Sequence, residues 1–325
     1  MSYYFIGENM NKELKVLINP KIKTYPITAY YISILEGNNI NIQSLIKNKF
    51  IHIFFHKDRL DFVNSEFLFD RVIDKDLIEL SYDNIIDNIK NYINDDNYVV
   101  IIINEQMISN PRIHKDYEYV HDRMIYGYDD EKQVFMTIGY VGCNIKMQTY
   151  DIELISYSEM ELAIKSTLNK KYNKWLIPNH ICRVPNHIPV FYDSYKTVCK
   201  ELKKFISLIN IENHKKKYIL TDRLAQRLLI ISLIIKSIKK EDVDIRTFRI
   251  IYENKKIIHS IIKDYSNNKR IIKAYSKIVD DSYMNLLLCC KYNNDKKKEL
   301  HKIIKRIIVN NIKEIWWIRY FIYIK

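Results

Sequence analysis

Glycine and proline are scarce in this chain, at 5 and 6 of 325 residues. Gly-rich phosphate cradles have little to work with, and no GxGxxG, P-loop, HExxH or GxSxG pattern occurs. The expectation is therefore a protein with neither cofactor nor metal. Cysteine is sparse too: Cys143, Cys182, Cys199, Cys289 and Cys290 are odd in number, irregularly spaced and without a CxxC. That excludes a disulfide framework and predicts reduced thiols. No apolar run is long enough to span a bilayer. The opening "MSYYFIGENMNKELK" has neither the basic start nor the apolar core of a signal peptide. A soluble, cytoplasmic protein is expected.

What is present is apolar and charged. Hydrophobic residues make up 47%, enough for a sizeable core. The net charge of +13 is uneven: residues 1–170 carry 18 basic and 25 acidic residues, residues 171–325 carry 34 and 14. Two halves of opposite sign predict two domains, 1–175 and 176–325. "WLIPNHICRVPNHIPV" (175–190), with three of the six prolines, is the expected linker or extended crossing.

The first half mixes periods. "ITAYYISILEG" (27–37) reads as a helix capped by Gly37. "DNIIDNIKNYINDD" puts Ile85, Ile86, Ile89 and Ile93 on one helical face. "FIHIFF" (50–55) is β-rich, and "YVVIII" (98–103) reads as a buried strand. "HDRMIYGY" and "QVFMTIGY" flank the turn "DDEK" and form a hairpin. "SYSEMELAIKSTL" opens a helix at Ser156 or Ser158. Beyond residue 190 only amphipathic helical segments recur, among them "LAQRLLIISLIIKSI", "TFRIIYENKKIIHSIIKDY" and "KELHKIIKRIIVNNIKEIWWIRYF". The fold class is α+β followed by an all-α helical domain.

Gly127, Gly139 and Gly142 cluster in the hairpin, which predicts a bulge or a close backbone approach. His121 opens the first hairpin strand. Two readings stand: a general base at the mouth of a cleft, or a partly buried hairpin histidine. Pairing 128 with 134 sets His121 opposite Val141, near Tyr140, Gly139 and Cys143, with Asn144 just beyond. Asp122 should point to the opposite face. Asn104 and Gln106, in "INEQ" after the buried strand, are candidates to line a cleft or simply form a polar loop.

"HDRMIYGYDDEKQVF" resembles the histidine strand of papain-like cysteine peptidases, which runs His, five mostly apolar residues, then Gly-Tyr. The longer stretch "YVVIIINEQMISN…YEYVHDRMIYGYDDEKQVFMTIGY" is similar to the papain-like domain of a Firmicutes family related to the N-terminal domain of the butirosin-pathway acyltransferase. "INPKIKTYPITAYYISIL" and "VDIRTFRIIYENKKIIHSIIKDY" resemble further blocks of that family. The resemblance implies a papain-like N-terminal domain with a central antiparallel sheet and a nucleophilic Cys at the start of the first helix. Pro26 stands where that Cys belongs, among Thr24, Tyr25, Ile27 and Thr28. Catalytic candidates are then His121 as base, Cys143 as a displaced thiol and Asn144 as the orienting residue.

The resemblance implies an acyl-transfer or amide-forming accessory protein of natural-product biosynthesis. The missing thiol implies a pseudoenzyme that binds an acyl, a peptide or an acidic carrier protein. Expected partners are an acidic acyl or peptidyl carrier protein and a small amine or acyl substrate, drawn by the basic half. The same charge could attract nucleic acid, but no reading motif accompanies it. Monomer and homodimer both stay open. Arg246 and Arg249 are a candidate pair for a carboxylate or phosphate, and with Glu253 they form at least a surface ion pair. His52 and His56, four apart on a strand, lack a third ligand. His180 and His187 read as surface residues of the crossing. The stripe of Trp316, Trp317, Tyr320 and Phe321 reads as core or a partner interface.

Overall fold

The computed structural model describes residues 11–56, 59–62, 69–109, 119–141, 149–168, 178–207, 245–294 and 300–323. The chain forms two compact units. One holds residues 1–41 and 66–189, the other residues 42–65 and 190–325. The division thus falls at 189/190 rather than 175/176, and a segment of the N-terminal half joins the helical unit. Counted by unit, the first carries 17 basic and 23 acidic residues and the second 35 and 16, a net of +19 for the second.

The first unit is α+β. Its described strands β1 (Asn11–Glu13), β4 (Asp74–Leu77), β5 (Tyr98–Asn104), β6 (Val120–Asp129), β7 (Val134–Val141), β8 (Thr149–Ser156) and β9 (His180–Arg183) form one antiparallel sheet. Its order is β4-β9-β5-β6-β7-β8, with β1 added to the far end of β6. Helix α1 (Pro26–Gly37) packs on β6 and β7, α3 (Ile85–Asn94) on β5 and β6, and α4 (Tyr157–Lys165) on β5.

Each element follows from its residues. Proline at N1 presets the first turn of α1. Tyr30, Tyr31, Ile32, Ile34 and Leu35 are all buried, so α1 is covered nearly all round. On α3 the buried stripe is Ile85, Ile89 and Ile93, while Ile86 is half-buried. Interior strand β5 is apolar on both faces, as its run of Val and Ile requires. Ser156 caps α4 in a reciprocal capping box with Glu159.

Two glycines mark close approaches. A Cβ at Gly127 would sit 2.7 Å from the Lys12 carbonyl oxygen, on the backbone of β1. The β6–β7 register shifts between Ile125 and Gly127. The hairpin closes at Asp129 and Val134, and the irregularity restores Met124 opposite Ile138, the register expected for the His121 end. Gly37 lies within α1 and is not its left-handed cap; a Cβ there would lie 2.6 Å from Val16 Cα. The left-handed residue after the helix is Asn39, φ 60°.

The proline-rich stretch holds a strand. Strand β9 pairs with both β4 and β5, and its His180 is buried, against the surface placement read from sequence. His180 Nε2 lies 3.2 Å from the Tyr31 hydroxyl and Nδ1 lies 2.8 Å from the Pro178 carbonyl. His187 is exposed as expected.

The second unit contains α2 (Gln43–Lys49), β2 (Ile53–His56), β3 (Arg59–Phe62), α5 (Tyr195–Ser207), α6 (Ile245–Tyr265), α7 (Lys269–Asn294) and α8 (Leu300–Tyr323). The β2–β3 ribbon means this unit is not wholly helical. Polar contacts fix the early segment in it. Asn254 of α6 donates to the Ile51 carbonyl at 2.6 Å, and Lys47 bridges Asp193 at 3.2 Å and Asp264 at 2.6 Å. At its centre Lys255 of α6 meets Glu314 of α8 at 2.7 Å, and Tyr275 of α7 donates to the same carboxylate at 2.7 Å. The segment 224–238 and residues 142–148 fall outside the described residues, so the helix read there, Gly142, Cys143 and Asn144 receive no structural placement.

Candidate functional site: a charged row at the start of strand β6

Strand β6 opens with three polar residues in sequence, His121, Asp122 and Arg123. On β5 their partners are Ile103, Ile102 and Ile101, and Asn104 faces Val120. Ideal pleating sends neighbouring side chains to opposite faces. Asp122 departs from that expectation: its Oδ1 lies 3.0 Å from His121 Nδ1. The same nitrogen lies 3.2 Å from the Asp122 carbonyl oxygen. Pairing of β6 with β7 begins only at Met124, so the first residues of β6 are laddered on one flank, where an imidazole can fold back to the next carboxylate. Tyr119 stacks on the ring at 5.9 Å.

Burial disfavours an imidazolium at His121. It is outweighed by the charge of Asp122, by Asp122's hydrogen bond and by the charge of Glu105, and the pKa is pushed up to about 9. Burial likewise works to raise the Asp122 carboxyl, and the His121 charge and hydrogen bond overcome it and hold it low. At neutral pH the pair is imidazolium and carboxylate. The His121 side chain keeps 19% of its exposure, so the ring is not sealed.

Helix α1 touches this row. The Tyr30 hydroxyl donates to the Asp122 carbonyl at 3.0 Å, one turn after Pro26. Burial raises the Tyr30 phenol well above its ordinary value, so it stays a donor. Gly139 makes room: a Cβ there would stand 3.0 Å from Arg123 Cδ and 3.2 Å from the Tyr30 hydroxyl.

Arg123 is fully buried. It reaches Glu105 at 2.7 Å, Glu153 at 3.2 Å and the Tyr140 carbonyl at 3.4 Å. Glu105 begins the 3₁₀ turn after β5 and Glu153 lies on β8, so register alone brings these groups together. Sequence reading missed this centre. Its only signal is the order "HDR" ahead of an apolar strand, an arginine at an inward position.

Asn104 is buried and its side-chain oxygen accepts from the Gln106 N–H at 3.1 Å, capping the turn. Gln106 is half-buried within it. Both therefore build the turn that presents Glu105. Pro26 occupies N1 of α1, behind an extended Tyr25. Thr24 and Thr28 are buried. Cys182, Cys199 and Cys289 are buried and Cys290 half-buried. Burial pushes the Cys182 thiol up to about 12 and raises those of Cys289 and Cys290, the reverse of an activated nucleophile.

The other candidates lie in the helical unit. Arg246 is exposed and Arg249 half-buried on α6, and Glu253, one turn on from Arg249, is buried. His52 is engaged by Glu201 at 2.8 Å, and Lys204 holds the same carboxylate at 2.7 Å. Among the described residues no group of three or more His, Cys, Asp or Glu could hold a metal ion, and no described helix is long and apolar enough to cross a membrane.

No protein-family model and no curated protein matches the chain. Fold and site together define a mixed α+β protein. Its antiparallel sheet carries a histidine–aspartate pair beside a buried arginine–glutamate centre.

Proposed function

We propose that this chain is a non-catalytic binding protein on a papain-like N-terminal unit, holding an acidic partner. One observation carries the reading. His121 is held as a cation by the carboxylate 3.0 Å away, with its pKa pushed up to about 9. A general base must be unprotonated to work; with a pKa near 9 only about 1% of the imidazole is neutral at pH 7. The first helix supports the same reading, with Pro26 in place of a thiol and the described cysteines buried or half-buried with thiol pKa values that burial raises for Cys182, Cys289 and Cys290. The net of +19 on the helical unit suits an acidic partner such as a carrier protein.

The second reading is an acyl-transfer or amide-forming protein, and the exposure kept by His121 favours it. In that case His121 would donate a proton to a leaving group, and the base role expected from the histidine strand would need pH above about 9.

An acyl-pantetheine thioester incubated with an amine separates the two. The full chain is expected to leave hydrolysis and aminolysis at the buffer rate between pH 6 and 8. Acceleration that disappears in His121→Ala would establish catalysis and overturn the binding reading.

A further inference from the structure

The outward face of α8 is apolar and basic at once. Its inner face buries Ile307, Asn310, Glu314, Ile318, Phe321 and Ile322. The opposite side exposes Ile308, Val309, Ile312 and Trp316, with Tyr320 half-buried one turn beyond Trp316. The spacing of 308, 312, 316 and 320 is one residue per turn along a single stripe. Trp316 is 54% exposed and Ile312 63%. Isolated exposed apolar residues need no explanation, but an aligned row does.

The charges on that face have one sign. Lys305, Arg306, Lys313 and Arg319 are all exposed, and the only acid of α8, Glu314, is buried against Lys255. Trp316 and Tyr320 are pre-ordered: their rings stack at 5.4 Å and 8°, and Trp317 stands edge-on to Trp316 at 4.4 Å. Fixed Trp and Tyr with flanking Arg is the composition of interface anchors. A hollow lined by Tyr265, Ile271, Tyr320 and Phe321 adjoins the stripe at its C-terminal end.

We infer that this face of α8 docks an acidic amphipathic helix of a partner protein. The apolar stripe takes the partner's anchors at i, i+4 spacing, and Lys305, Lys313 and Arg319 meet its carboxylates. A second copy of this unit would bring like charge to like charge. A lipid surface fits less well, because the bases are interleaved with the stripe rather than set on a separate polar face, and insertion would draw them into hydrocarbon. The inference deepens the binding reading and rests on it, but assigns His121 no part.

The test uses the full chain and a fluorescein-labelled synthetic amphipathic helix with glutamates on its polar face and leucines on the other. A matched peptide with lysines in place of the glutamates, phosphatidylserine vesicles and a DNA oligonucleotide serve as competitors. The acidic peptide is expected to bind at least tenfold tighter than its lysine counterpart. Trp316→Ala and Ile312→Ser should each weaken it at least tenfold, with the helical circular dichroism of the chain retained because both residues are more than half exposed. Lys313→Glu with Arg319→Glu should abolish binding, while Lys269→Glu with Lys273→Glu on α7 should change it less than threefold. Peptide binding lost through the α7 pair and indifferent to Trp316 would overturn the α8 site yet leave the binding reading standing. An acidic peptide that fails to bind at all would remove both. Tighter, Trp316-dependent binding to vesicles or DNA, or a dimer dissolved by Trp316→Ala, would replace the inferred partner.

Discussion

Glu314→Leu should cost the helical unit roughly 3–5 kcal/mol, the usual loss when one member of a buried ion pair is removed. Lys255 would lose this counter-charge in a site where the two side chains retain 7% and 0% exposure. Tyr275 would lose its acceptor as well. The centre joins three helices, α6, α7 and α8, so the loss should appear as a lower urea midpoint for the whole unit. Replacing all three groups at once, with Lys255→Met and Tyr275→Phe added, should recover most of the stability, since the apolar substitute leaves no buried charge and takes from Asn254 only a long 3.4 Å hydrogen bond to its side-chain oxygen. Urea denaturation of the single and triple variants checks both results. A single variant as stable as the parent would mean that the lysine has another anion.

Arg123→Met is expected to be equally severe in the first unit, again roughly 3–5 kcal/mol. The guanidinium is fully buried, and without it Glu105 and Glu153 would lose the cation that joins them. The loss should depend on pH. In the variant, protonation relieves the stranded carboxylates, so its folded state gains protons on acidification and its stability relative to the parent improves as pH falls. Guanidinium denaturation at pH 7 and pH 5 reads this directly. A destabilisation equal at both values would assign the effect to lost packing alone.

Local features were legible wherever one stretch of sequence determines them. The period of Ile85, Ile89 and Ile93 gave α3, the Val and Ile run gave β5, and Ser156 with Glu159 gave the start of α4. The glycines of the hairpin signalled both the irregularity at Gly127 and the space that Gly139 leaves for Arg123. Features that depend on distant partners were not legible. Strand β9 is four residues long between prolines, and only pairing with β4 and β5 makes it a strand. The exposed β4, "DKDL", has the charged composition of an edge strand and no apolar alternation. Arg123 finds Glu105 and Glu153 through register, and Lys255 finds Glu314 through helix packing, at sequence separations no local pattern spans. The return of Asp122 to His121 runs against strand periodicity and follows from attraction between opposite charges.

The pH window of the histidine–aspartate pair follows from its sign. The His121 pKa is raised in the folded state, so its contribution is fully present below the ordinary histidine value of about 6.5 and fades as pH climbs through about 9. Asp122 is held low, so its share is lost only as pH falls through its depressed value. NMR titration of the His121 ring in the full chain, with Asp122→Asn for comparison, measures this pair most directly. A cation held for binding should titrate near pH 9 and drop towards the ordinary histidine value in Asp122→Asn. A midpoint at or below 6.5 in the parent, unmoved by Asp122→Asn, would contradict it and return His121 to the role of base.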